Sequence, residues 1–262
     1  MIINDYIKKF LPLQDLDNLF VVADFDRTIT DGNSHTSWSV LSLSNLLPES
    51  YILERKSLFD YYRPIEISEN IDFSLKSQKM KEWFQKHIEL FVKYKISEEI
   101  FDQASMNIEI MKLRPYAKEF IKYLYDNHIP LIIISAGIGN FIKSFLINNN
   151  CYFDNIYICS NNVIFENGIA VGIEQNIIHS LNKNEISIPI YIKEKIKNKN
   201  NVILLGDQVS DLNMVNKDNY KLVINVGFLT PDYSLNTMVS NFDIVCEDND
   251  NYDKIQRLLF NN

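Results

Sequence analysis

Unbroken apolar runs of strand length recur along this chain, separated by stretches with the three-to-four spacing of helices. The strongest runs cover residues 19–24, 130–135 (PLIIIS) and 202–206 (VILLG), with further ones at 155–159, 221–226 and 242–246. Continuous rather than alternating apolar residues predict strands buried on both faces, as in a parallel sheet. Helical periodicity at residues 115–127, 140–149 and 185–197 falls between them. The alternation predicts an α/β fold, a Rossmann-like doubly wound parallel sheet.

One interval breaks the pattern. Between Thr30 and Leu113 the apolar spacing is helical throughout. Trp38, Leu41 and Leu46 mark one segment, and Met80, Trp83, Phe84, His87 and Phe91 form a stripe on another. This predicts a helical cap at 33–112 inserted into a core made of 1–32 and 113–262. Short apolar stretches around Glu166-Asn167-Gly168, within residues 163–173, predict a β-hairpin.

Composition narrows the function. The chain has 262 residues, 46% apolar and 23% charged, the balance of a soluble globular protein. A formal net charge of −8 argues against a nucleic-acid surface and leaves any phosphate site to draw on local positive charge. No apolar run reaches the roughly 18 to 20 residues of a membrane helix. The first ten residues lack a signal-peptide pattern, so a cytoplasmic protein with no membrane partner is expected. Cys151, Cys159 and Cys246 are spaced for neither a disulfide framework nor a zinc site. His35, His128 and His179 read as structural, since none has a partner at metal-binding spacing.

The candidate chemistry lies at strand ends. Asp24 and Asp26 follow the first strong run and, in extended backbone, point the same way. Two like charges so close favour a cation between them. Ser135-Ala136-Gly137 follows the second run and leads toward a helix, offering a hydroxyl and amides to a phosphate. Lys183 supplies a positive charge, and Asp207 and Asp211 follow VILLG. Open α/β sheets bind ligands at these carboxyl ends.

In order, the motifs read D-x-D-x-T, S-A-G, K and G-D-x-x-x-D, which resembles the haloacid-dehalogenase superfamily. More narrowly, SAGIG (135–139), IHSLNK (178–183), LLGDQVSDLNM (204–214), the late FDIV (242–245), and YYRPIE (61–66) with EWF (82–84) resemble the cytosolic pyrimidine 5′-nucleotidase III family. His87 stands where that family carries a serine, and the segment after the first motif is shorter. The resemblance implies a phosphomonoesterase with Asp24 as nucleophile, Asp26 as acid–base and Lys183 with Ser135, Ala136 and Gly137 around the phosphate. It implies Mg²⁺ held among Asp24, Asp207 and Asp26 (the last through its backbone carbonyl), with Asp211 orienting Lys183 or a metal-bound water. Thr28 would hold the first loop. Glu66, Trp83 and His87 would meet the base of a pyrimidine nucleotide, Glu66 by accepting from an exocyclic amine. Two readings stay open beside it. A phosphoserine-type phosphatase would place an amine on Glu66 and a carboxylate on Arg55 or Arg63, and a non-catalytic phosphate-binding protein would keep the fold alone.

Overall fold

The computed structural model describes residues 1–68, 70–174, 177–247 and 250–261. Its strands are β1 (Ile2–Ile3), β2 (Leu19–Ala23), β3 (Leu131–Ile138), β4 (Ile156–Asn161), β5 (Val163–Glu166), β6 (Ile169–Ile173), β7 (Asn201–Gly206), β8 (Leu222–Phe228) and β9 (Ile244–Cys246). Seven of them form one sheet in the order β1-β9-β8-β7-β2-β3-β4. Only β1 pairs antiparallel. The chain leaves β2 toward β3 on one side and later returns to β7 on the other. The carboxyl end of β2 is therefore a topological switch point.

Both faces of the sheet are covered, which is why its strands read as unbroken apolar runs. Val21, Ile133 and Ile203 pack on one face with Phe120, Phe145 and Ile255. Val22, Ile132 and Leu204 pack on the other with Ile192, Ile196 and Met238. The first set of partners comes from α5 (Ala117–Asp126), α6 (Gly139–Asn148) and α9 (Tyr252–Phe260), the second from α7 (Ile190–Ile196) and α8 (Leu235–Asn241).

The interval after β2 is helical, as its spacing predicts: α1 (Ser37–Leu43), α2 (Glu49–Ile67), α3 (Phe73–Lys93) and α4 (Glu98–Ser105). Asp72 starts α3 by accepting from the amides of Ser74 and Leu75. Early α2 meets late α3 where Lys93 pairs with Glu54 at 2.6 Å, and late α2 meets mid α3 where Tyr62 donates to Glu82 at 2.7 Å. The two helices therefore run antiparallel. The chain enters and leaves this helical region side by side: Asp31 N donates to Lys112 O at 2.9 Å and Arg114 N to Ile29 O at 3.0 Å.

The hairpin β5–β6 turns at Asn167 and Gly168, both at positive φ (50° and 76°), as a two-residue turn of this hand requires. It docks on the helical region through Glu98 N to Gly168 O and Ala170 N to Ile96 O, both 2.9 Å.

One expectation is corrected, and one strand was not anticipated. Residues 185–197 do not form one helix: Glu185–Ser187 makes a single tight turn, Ile188 is extended, and α7 begins after Pro189. Proline disfavours helical backbone at the residue before it. β3 runs to Ile138 and α6 starts at Gly139, so Ser135, Ala136 and Gly137 close the strand and lead into the helix, as expected. Strand β1 is two residues long and escaped notice because it has no period to read.

Candidate active site

The ends of β2, β3 and β7 and one loop converge. Asp24 extends β2, its amide donating to Leu205 O at 2.9 Å. Its Oδ1 accepts from Lys183 Nζ at 2.5 Å, and its Oδ2 from Thr28 Oγ1 at 3.4 Å. Lys183 Nζ also donates to Asp211 Oδ1 at 2.8 Å, while Asp211 Oδ2 accepts the amides of Asp207 and Gln208 at 3.1 and 3.0 Å. All four groups are at least nine-tenths buried. Gly206 makes the approach possible, because a Cβ there would sit 2.6 Å from the Asp211 Cβ.

Burial pushes the Asp24 carboxyl up to about 7 against the pull of Lys183, and raises Asp207 well above the carboxylate range. Burial works against the Lys183 ammonium, but Asp211 and Asp24 outweigh it and hold the lysine charged. Asp207 Oδ2 is buried with no hydrogen-bond partner among the described residues. Asp24, Asp207 and Asp211 each bring one oxygen within 4.8 Å of the others. Three hard oxygen donors, one of them orphaned, fit a divalent cation of the Mg²⁺ type.

Asp26 does not bring its carboxylate to that cluster. It turns instead to α1, accepting from Ser37 N at 2.9 Å and Ser37 Oγ at 3.2 Å. Burial raises its carboxyl to about 6 and the two Ser37 bonds restrain the rise. Ser135 Oγ accepts from Gly137 N at 3.0 Å, and the Ala136 carbonyl is held by Trp38 Nε1 at 2.9 Å and Asn161 Nδ2 at 3.0 Å.

Asp24, Asp26, Ser135, Lys183 and Asp207 border one cavity of about 370 Å³ that runs on into the helical region, lined there by Trp38, Arg55, Phe59, Glu66, Trp83, Phe84 and His87. The His87 ring lies 5.0 Å from Trp38 and 5.9 Å from Trp83. Burial drives its pKa down to about 3, with Arg55 adding to the effect, so the ring is neutral. Glu66 lines the cavity and accepts one bond on each carboxylate oxygen. Its Oε2 accepts from Arg63 at 2.5 Å and its Oε1 from Ser180 Oγ at 2.9 Å.

Several residues here had no clear sequence signal. Ser37 and Trp38 read only as part of a helix. Arg114, buried, donates to the carbonyls of Thr28 and Arg27 and lies 4.3 Å over the Phe228 ring, strapping the loop after Asp24. Arg27, at φ 61°, pairs with Asp232 at 2.7 Å on the cavity wall. His179 bonds Ser77 of α3 at 3.3 Å and accepts from Leu181 N, a structural role as expected. The three cysteines are free and buried.

Residues 24–261 match the family described as pyrimidine 5′-nucleotidase (UMPH-1). The chain belongs to that family. The 7-methylguanosine phosphate-specific 5′-nucleotidases of Homo sapiens and Mus musculus are 32% and 31% identical to this pyrimidine 5′-nucleotidase family member, across 93% of the chain and 84% of each relative. The crystal structure of cytosolic 5′-nucleotidase IIIB bound to cytidine superposes with a TM-score of 0.86 at 27% identity, covering 96% of this chain and 88% of that one. A substrate-bound phosphoserine phosphatase shares the fold at 15% identity, TM-score 0.56, over 92% and 97% of the two chains. The protein is thus a 5′-nucleotidase of the haloacid-dehalogenase fold, a phosphoric monoester hydrolase with a capped α/β core. No described helix is long and apolar enough to cross a membrane.

Proposed function

We propose that this family member is a Mg²⁺-dependent cytoplasmic 5′-nucleotidase that cleaves pyrimidine nucleoside monophosphates through a phosphorylated Asp24. The observation that carries the reading is the buried Asp24–Lys183–Asp211 web beside the orphaned Asp207 oxygen. Residues 33–112 form the cap in this account, and 1–32 with 113–262 the core.

Asp24 attacks phosphorus and the bond to the 5′-oxygen breaks, giving nucleoside and an aspartyl-phosphate. Asp26, whose carboxyl at about 6 can carry a proton near neutrality, gives it to the departing oxygen. In the second step Asp26 takes a proton from water, which attacks phosphorus, releases phosphate and restores the Asp24 carboxylate. Lys183 and Ser135, with the amides at Ala136 and Gly137, receive the charge on the transferring oxygens. Asp211 holds Lys183 in place. Mg²⁺, held by Asp24, Asp207 and Asp211 with the Asp26 carbonyl, would screen the nucleophile from the phosphate's charge. Trp83, His87 and Trp38 supply flat walls for a base, and Glu66, held by Arg63 and Ser180, borders the same space. The names of the relatives offer cytosine, itself a pyrimidine, and one further base, 7-methylguanine, to a cavity of this size.

A phosphate-release screen tests the reading. Nucleoside monophosphates should be hydrolysed with Mg²⁺ and spared after EDTA treatment. Activity that survives chelation, or confined to phosphomonoesters without a base, would overturn it.

A further inference from the structure

The cap end of the cavity is rich in donors. Trp83 Nε1, His87 Nδ1 and Arg55 Nε are all buried and lack hydrogen-bond partners among the described residues. All three residues line the same space. Trp83 and His87 are 8% and 4% exposed, so solvent does not meet these atoms. The indole and the guanidinium can only donate, while a neutral imidazole can donate or accept. Buried donors left unmet are costly, and three on residues that wall one cavity favour a ligand that supplies acceptors.

Charge sharpens the point. Among the described cap residues lining the cavity, Glu66 is the only carboxylate, and it is matched by Arg63 at 2.5 Å. Arg55 has no such partner, since its Nη2 donates to the neutral Ser39 hydroxyl at 3.3 Å. The base end therefore carries one uncancelled positive charge. An aromatic wall of Trp38, Phe59, Trp83 and Phe84 would by itself suit a cationic ring as well as a neutral one. The guanidinium breaks that tie. A guanine methylated at N7 is a cation and has lost an acceptor, so it meets both the charge and the donors badly. A neutral pyrimidine brings carbonyl oxygen and no charge.

We infer that Arg55 is a specificity-determining residue that selects a neutral, acceptor-bearing base and excludes the cationic 7-methylguanine from this chain. The inference rests on the nucleotidase reading and adds to it which base enters.

The test is kcat/KM for cytidine, uridine and 7-methylguanosine 5′-monophosphates, with Mg²⁺ and below neutral pH, where the methylated base keeps its charge. The wild-type protein should favour both pyrimidine nucleotides over the methylated purine by about tenfold or more, the worth of one charged contact. Arg55→Met should bring that ratio toward one, and Arg55→Glu should invert it. Each ratio is taken within one protein, so a partly folded variant still reports. Equal or better hydrolysis of the 7-methylguanosine compound by the wild type, or a ratio unmoved in both variants, would overturn the inference while leaving the nucleotidase reading intact. Hydrolysis of nitrophenyl phosphate but of none of the three nucleotides would instead sink the nucleotidase reading, and the inference with it.

Discussion

At the phosphate end of the cavity, Lys183 joins Asp24 to Asp211, Asp211 fastens two amides after β7, and Ser37 holds both oxygens of Asp26. At the cap end, three buried nitrogens wait without partners between aromatic rings. The first region is a charged web complete except for one carboxylate oxygen, and it sits on strand ends fixed by the sheet. The second is a flat, donor-rich slot on helices. The chemical step is common to many phosphomonoesters, so its groups are preset by the core. In the proposed reading, recognition varies with the base and is left to side chains on an insert that can change without disturbing the sheet.

The largest effect that separates the two ends is expected at Asp26. Asp26→Asn keeps the shape but removes the proton carrier, and kcat should fall by roughly 10² to 10⁴ on a nucleotide. Nitrophenyl phosphate, whose leaving group needs little protonation, should lose much less in the phosphorylation step. Equal losses on both substrates would assign Asp26 to the scaffold. A smaller effect comes from pH. Burial holds Asp24 up to about 7, so below that pH it keeps a proton that a cation must displace, and the raised Asp207 carboxyl acts in the same direction. Apparent Mg²⁺ affinity should therefore fall by at least roughly tenfold per pH unit as pH drops below 7. The base end should not share this dependence, because His87, held down to about 3, stays neutral throughout. Calorimetric titration with Mg²⁺ at several pH values reads the first. A pH-independent affinity would mean that the aspartates are not the ligands.

The two ends also differed in how far they could be read from the chain. Asp24, Asp207 and Ser135 belong to short motifs at the ends of apolar runs, and the sheet brings them together because its strand order forces their ends to meet, while Lys183 comes from a loop. Long unbroken runs such as VILLG announced the strands that carry them. The cap gave a period but no pairing. Glu66 looked free along the chain, and its bonds to Arg63 and Ser180 exist only once α2 packs over the Lys183 loop. Arg55 stood beside Arg63 as a carboxylate partner in the phosphoserine-type reading, and its packing against Ser39 and His87 places it at the cap end of the cavity. Arg114 carried no signal either, since its bonds to the Arg27 and Thr28 carbonyls span more than eighty residues. Contacts of that kind come from tertiary packing, and local spacing does not encode them.

The central claim is that Asp24 is the nucleophile. Its direct measurement is acid-quenched peptide mass spectrometry of the protein caught turning over a pyrimidine nucleoside monophosphate with Mg²⁺. The account predicts one phosphoryl group on the peptide that contains Asp24, and none in Asp24→Asn. A phosphoryl group on another residue, or continued turnover in Asp24→Asn, would contradict it.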